Sequence, residues 1–126
     1  MNFFERKRKK DPTKERIIAR VRLEFRMMIE DMFVIREVGT IVTGVVEAGM
    51  CNVGEPAVII HNGKEIETEI ISITLMGEQP GPVEIARPNE RVGLGLKGIA
   101  KEQLEQGEVQ IGDWVIVRNG QADIIM

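Results

Sequence analysis

From residue 19 to residue 29 the chain alternates without a break. Ala19, Val21, Leu23, Phe25, Met27 and Ile29 fall on one side; Arg20, Arg22, Glu24, Arg26 and Met28 fall on the other. A period of two is the signature of a strand with one buried face, so this stretch predicts a strand with arginines along its solvent side. Ile29 to Gly49 (IEDMFVIREVGTIVTGVVEAG) then reads as two strands around a tight corner. Phe33, Ile35, Ile41, Val45 and Val46 suit a pleated, half-buried surface. Gly39 marks the corner, where a side chain would be in the way. Gly44, isolated inside the second run, predicts a bulge or sharp bend.

The same reading continues downstream. Asn52–Glu55 is a loop and Ala57–Ile60 a short apolar strand. His61-Asn62-Gly63-Lys64 predicts a type I′ hairpin, because Asn-Gly supplies its two positive-φ residues. The return run, Glu65–Leu75, turns Glu65, Glu67 and Glu69 outward and Ile66, Thr68, Ile70 and Ile73 inward. Residues 77–82 (GEQPGP) form a loop by composition. Val83–Ala86 is a short strand, Arg87–Glu90 a turn and Val92–Ile99 a glycine-punctuated strand. Lys101–Gln106 is one helical turn ended by Gly107. Asn119-Gly120 between Trp114–Val117 and Ala122–Met126 predicts a terminal hairpin, read as an addition over residues 113–126 that covers the body or pairs with a partner's sheet edge. Many short strands with closely spaced turns imply a sandwich or barrel.

Charge divides the chain. Residues 1–26 hold ten Lys and Arg against four Asp and Glu, a net +6; residues 27–126 carry a net −9. The block Arg6, Lys7, Arg8, Lys9, Lys10 repels itself and favours a flexible leader over residues 1–16, attached to a single domain over residues 17–126. A basic arm on an acidic body points to an interaction tail, of the kind used for nucleic acid or a membrane surface. With the leader, Arg20, Arg22 and Arg26 form an electrostatic set for phosphates. Only 4% of residues are aromatic and none is Tyr, which argues against extensive base stacking. No apolar run approaches a membrane span and no apolar signal segment follows the charged start. One cysteine, Cys51, is compatible with a reducing, cytoplasmic setting.

Catalytic signals are sparse. There is no GxxxxGK[ST] phosphate loop, and Gly93-Leu94-Gly95-Leu96-Lys97-Gly98 falls within a strand pattern. His61 is the only histidine and flanks a hairpin, where an exposed structural role is expected. Cys51 has no neighbouring cation to activate it, and one Cys with one His makes no ordinary zinc site. The chain is therefore read as non-enzymatic, without cofactor or metal.

The motifs IEDMF, VGTIVTG and EAGMCNVGE, followed by RVGLGLKGIAKEQLEQGEV, resemble the second domain of elongation factor Tu and related translational GTPases over roughly residues 25–112. The resemblance implies an all-β fold: a small closed antiparallel β-barrel of the translation-factor domain-two type, here with a basic N-terminal leader and a C-terminal β-hairpin. It also implies that the residues matching Glu30, Asp31, Phe33 and Thr43 line a pocket for the aminoacylated 3′ end of tRNA. The family's asparagine in that pocket is replaced by Arg91, and the segment bearing further contacts to the terminal adenosine is replaced by Thr74–Glu84. The GTPase domain has no counterpart. The expected function is a free-standing, non-catalytic binding module that contacts RNA or the ribosome. The alternative is a protein-protein adaptor that uses the barrel and its terminal hairpin with no nucleic-acid role.

Overall fold

The computed structural model describes residues 24–118. The leader with Arg6, Lys7, Arg8, Lys9 and Lys10, the first half of the alternating run with Arg20 and Arg22, and the second arm of the expected hairpin lie outside the described residues.

The remaining half of the first run forms β1 (Phe25–Met28). Phe25, Met27 and Ile29 are fully buried and Arg26 and Met28 exposed, as a period of two requires. The corner motif yields β2 (Asp31–Ile35) and the ten-residue β3 (Gly39–Ala48), paired from Asp31 opposite Thr43 to Ile35 opposite Gly39. Next come β4 (Cys51–Asn52), β5 (Pro56–His61) and β6 (Lys64–Leu75). Asn62 and Gly63 have φ of 49° and 81°, the double positive φ of the predicted hairpin turn.

Two short strands replace the single one expected at Val83–Ala86: β7 (Gly81–Val83) and β8 (Ile85–Ala86). β7 pairs with β6 and β8 with β4. Gly81 and Pro82, read as loop, belong to β7, a strand paired on one side only, where the missing N–H of proline is tolerated. The glycine-punctuated run is β9 (Arg91–Leu96), ending before the turn at Lys97-Gly98. The helical turn is α1 (Lys101–Glu105), followed by Gly107 at φ 79°. The last described strand is β10 (Trp114–Val117).

Six antiparallel strands run β1-β10-β5-β6-β9-β3, and a β1–β3 pairing closes the ring into a barrel; β2 lies outside the ring, on β3. Its inside is filled by Phe25, Met27, Ile29, Val42, Val46, Ile59, Ile70, Leu94 and Val115, all inaccessible to solvent. Closure accounts for Gly44. A Cβ there would overlap the Met28 carbonyl oxygen and sit 3.0 Å from Met27 Cγ, so the glycine lets the backbone of β1 come close at the seam. The bulge expected at Gly44 is found elsewhere, as register shifts between Arg26 and Met27 and between Ile70 and Ser72. The second shift explains how Ile70 and Ile73 both point inward from one strand.

Residues 114–117 take a different place from the one expected of an added arm. β10 is a stave of the barrel, bonded to β1 on one side and β5 on the other. Pairings so distant in sequence leave no local signal, so the strand's apolar run read as an appendage.

Candidate functional site

The residues singled out by resemblance gather on the outer wall of β2, β3 and β9. Across the three strands Asp31, Thr43 and Gly93 share one row, and Phe33, Ile41 and Gly95 the next. Cross-strand partners point to the same face, so Asp31, Phe33, Thr43 and Arg91 all project outward while Val42, Val92 and Leu94 fill the core. Gly93 leaves the wall low at its centre, whereas the Ser72 hydroxyl on β6 already fills the place of a Cβ at Gly95. Around Gly93 stand Ile41, Thr43 and Met76, whose atoms would lie 3.5–3.8 Å from a Cβ at that position. Phe33 rises beside this floor with 41% of its surface exposed, whereas Thr43 is down to 8%.

Charge frames the same floor. The Arg91 guanidinium donates to the Glu30 carboxylate, 61 residues away in sequence. The Glu30 amide bonds the Thr43 carbonyl at 2.8 Å, which fixes the chain as it enters β2. Asp31 Oδ1 accepts from the Met32 amide at 2.8 Å. Thus Glu30 and Asp31 have separate partners, as alternation demands. The wall offers an acidic and a basic group, a hydroxyl and an exposed aromatic ring around a glycine floor. Such a set can hydrogen-bond a polar end group while an unstacked base lies on the ring.

The electrostatic residue that the structure describes, Arg26, lies on other strands. Its side chain projects from the outer face of β1, with its guanidinium carbon 4.8 Å from the centre of the Trp114 ring on β10, within range for a cation–π contact.

His61 departs from the exposed position expected. It is half-buried, with Nδ1 at 2.9 Å from both carboxylate oxygens of Asp113. With its proton on Nδ1 the ring donates to Asp113, and Nε2 accepts from Asn62 Nδ2 at 3.2 Å. Asp113 Oδ2 also accepts from the Gln110 amide at 2.7 Å. The histidine thus ties the β5–β6 hairpin to the approach to β10. Asp113 was not singled out in the sequence, because its partner is 52 residues away.

Cys51 is fully buried. Desolvation, reinforced by Glu55, pushes its thiol up to about 12, which keeps it protonated and unreactive. Among the described residues no three His, Cys, Asp or Glu side chains cluster to hold a metal, and no helix is long and apolar enough to cross a membrane.

A closed six-stranded antiparallel barrel of this kind matches the fold of domain two of the translation elongation factors. The chain is 37% identical over 84 residues to elongation factor 1-alpha of Pyrobaculum aerophilum, a match covering 67% of the chain and 18% of that protein. Elongation factor 1-alpha of Methanopyrus kandleri is 35% identical over 89 residues, covering 67% and 20%. The apo structure of translation elongation factor SelB from Methanococcus maripaludis matches with a TM-score of 0.61 and 25% identity, over 75% of this chain and 19% of that one. No protein-family model matches the chain. The barrel is therefore related to the second domain of the translational GTPases, and the shared region is that domain and not the GTPase domain. The chain spans about a fifth of the length of the curated relatives it matches.

Proposed function

We propose that this protein is a non-catalytic, cytoplasmic RNA-contacting module that acts at the ribosome or on tRNA. One observation carries the reading: the convergence of Glu30, Asp31, Phe33, Thr43 and Arg91 on one outer wall of an elongation-factor barrel, around the low floor at Gly93. The wall takes an unstacked RNA end, with Phe33 under a base and Asp31 and Thr43 toward its hydroxyls. Arg91, paired with Glu30, presents its remaining N–H groups to a phosphate or carboxylate. Arg6, Lys7, Arg8, Lys9 and Lys10, with Arg20, Arg22 and Arg26, supply phosphate contacts that set affinity but not sequence preference. The acidic body discourages indiscriminate attachment elsewhere.

The test is binding of the intact chain to ribosomes and to total tRNA across a salt series, beside a full-length variant with Gln at positions 6–10. Binding that weakens steeply with salt and drops in the variant is expected. No binding by the intact chain at low salt overturns the reading.

A further inference from the structure

We infer that the outer edge of β2 pairs with the same edge of a second copy of this chain, joining two barrels into a two-fold symmetric dimer. Among the described residues β2 is bonded on one side only, to β3. The other edge of such a strand presents alternate N–H and C=O groups outward. Natural sheets usually guard these edges with proline, lysine or a bulge. β7, also paired on one side, is three residues long and contains Pro82. β2 reads DMFVI, without proline or lysine, and its register runs unbroken from Asp31 to Ile35.

The side chains agree with the edge. Phe33, Val34 and Ile35 are 41–43% exposed, and consecutive strand residues point to opposite faces, so β2 is bare on both. Val38, in the turn that follows, is exposed as well. Contiguous exposed apolar residues of this kind mark an interaction surface. The turn at residues 36–38 is closed by the Val38 amide on the Ile35 carbonyl at 3.0 Å, which keeps β2 extended to its last residue.

The strand is complementary to itself. A two-fold axis normal to the sheet brings the same patch of both copies together and keeps outward residues outward, so odd positions meet odd and even meet even. With the axis at Phe33, the two rings lie side by side, Met32 meets Val34, Asp31 meets Ile35, and the Glu30 position meets Arg36 at each end of the ladder. Aromatic and opposite-charge pairs favour this register. Moving the axis to Val34 sets Asp31 against Glu37. Moving it to Met32 sets exposed Ile35 against Ile29, which is buried in the barrel. This match of acid, aromatic and base about one axis makes a second copy the partner that fits. Pairing in the plane of the sheet leaves both Gly93 floors open on the same side, so the inference stands apart from the RNA reading.

Sedimentation equilibrium of the intact chain, with no RNA added, should show a monomer–dimer equilibrium between micromolar and millimolar concentrations. Val34→Lys, an exposed change that should leave circular dichroism unaltered, should raise the dissociation constant about tenfold or more. Arg36→Glu sets like charges opposite at both ends of the ladder and should act in the same direction. Directly opposed Cα atoms of an antiparallel ladder lie about 4.5–5.5 Å apart, within the range for a disulfide. Phe33→Cys should therefore cross-link two chains on mild oxidation, and Ile71→Cys, similarly exposed on β6, should not; Cys51 is buried and does not compete. A monomer at every concentration overturns the inference. So does a dimer indifferent to Val34→Lys, or one that Ile71→Cys traps as readily as Phe33→Cys.

Discussion

Two outer walls of one barrel differ in what they leave open. On β2, β3 and β9 the centre is glycine, and the groups around it are an exposed ring, a hydroxyl and the Glu30–Arg91 pair. On β1, β10 and β5 the centre is Ile116, Val58 and Ile60, crossed by the Arg118–Glu65 bridge and capped at one end by Arg26 over Trp114. Beneath both walls the ring strands fill the core, with Val42, Val92 and Leu94 on one side and Phe25, Met27, Ile59 and Val115 on the other. A closed barrel needs only its inward positions to fold, so the outward rows are free to diverge. The RNA contact we propose falls on the first of these walls.

Glycine substitutions separate closure from ligand contact, and the largest effect is expected at the seam. Gly44→Ala forces a methyl group against the Met28 carbonyl and should cost about 1–3 kcal/mol, read by urea denaturation. Gly93→Ala meets only ordinary contacts of 3.5–3.8 Å; it should fold normally while raising the floor of the open wall and weakening RNA binding. If both variants were equally destabilised, the distinction between seam and floor would fail.

Phe33→Ala should leave stability within about 0.5 kcal/mol, as for exposed surface changes. It should weaken RNA binding by roughly 1–3 kcal/mol, the usual value of one base–aromatic stack, measured by filter binding. A smaller loss, about 1 kcal/mol of stability, is expected from His61→Ala, which removes one hydrogen bond to the largely buried Asp113; RNA binding should not change.

The smallest effect belongs to the Arg118–Glu65 bridge on the β10–β5 wall. Hydrogen bonding to Arg118 holds the Glu65 carboxyl below its ordinary range of about 4.5. A depressed carboxyl stabilises the fold above its unfolded value and loses that contribution as pH falls through its folded value. Glu65→Gln should therefore flatten the acid limb of the stability curve slightly. The difference should shrink in high salt, because the pair is exposed.

Local features were legible in the sequence wherever the governing physics is local. The burial of Phe25, Met27 and Ile29 follows from a period of two, the 62–63 turn from Asn-Gly, and the end of α1 from Gly107. Resemblance supplied the barrel and brought Glu30, Asp31, Phe33, Thr43 and Arg91 into one group. What could not be read depends on ring closure. The β1–β3 seam explains Gly44, the double pairing of β10 places Trp114–Val117 inside the wall, and the His61–Asp113 and Glu30–Arg91 contacts join residues 52 and 61 positions apart. No periodicity along the chain encodes such pairings.

The most direct test of the account maps backbone amide shifts of the intact protein as total tRNA is added at low salt. The open wall should respond, with the largest changes at residues 30–33, 43 and 91–95 and little change at residues 57–60 and 114–117. Shifts concentrated on β10 and β5, with β2 and β9 silent, would contradict the assignment of the ligand to the glycine-floored wall.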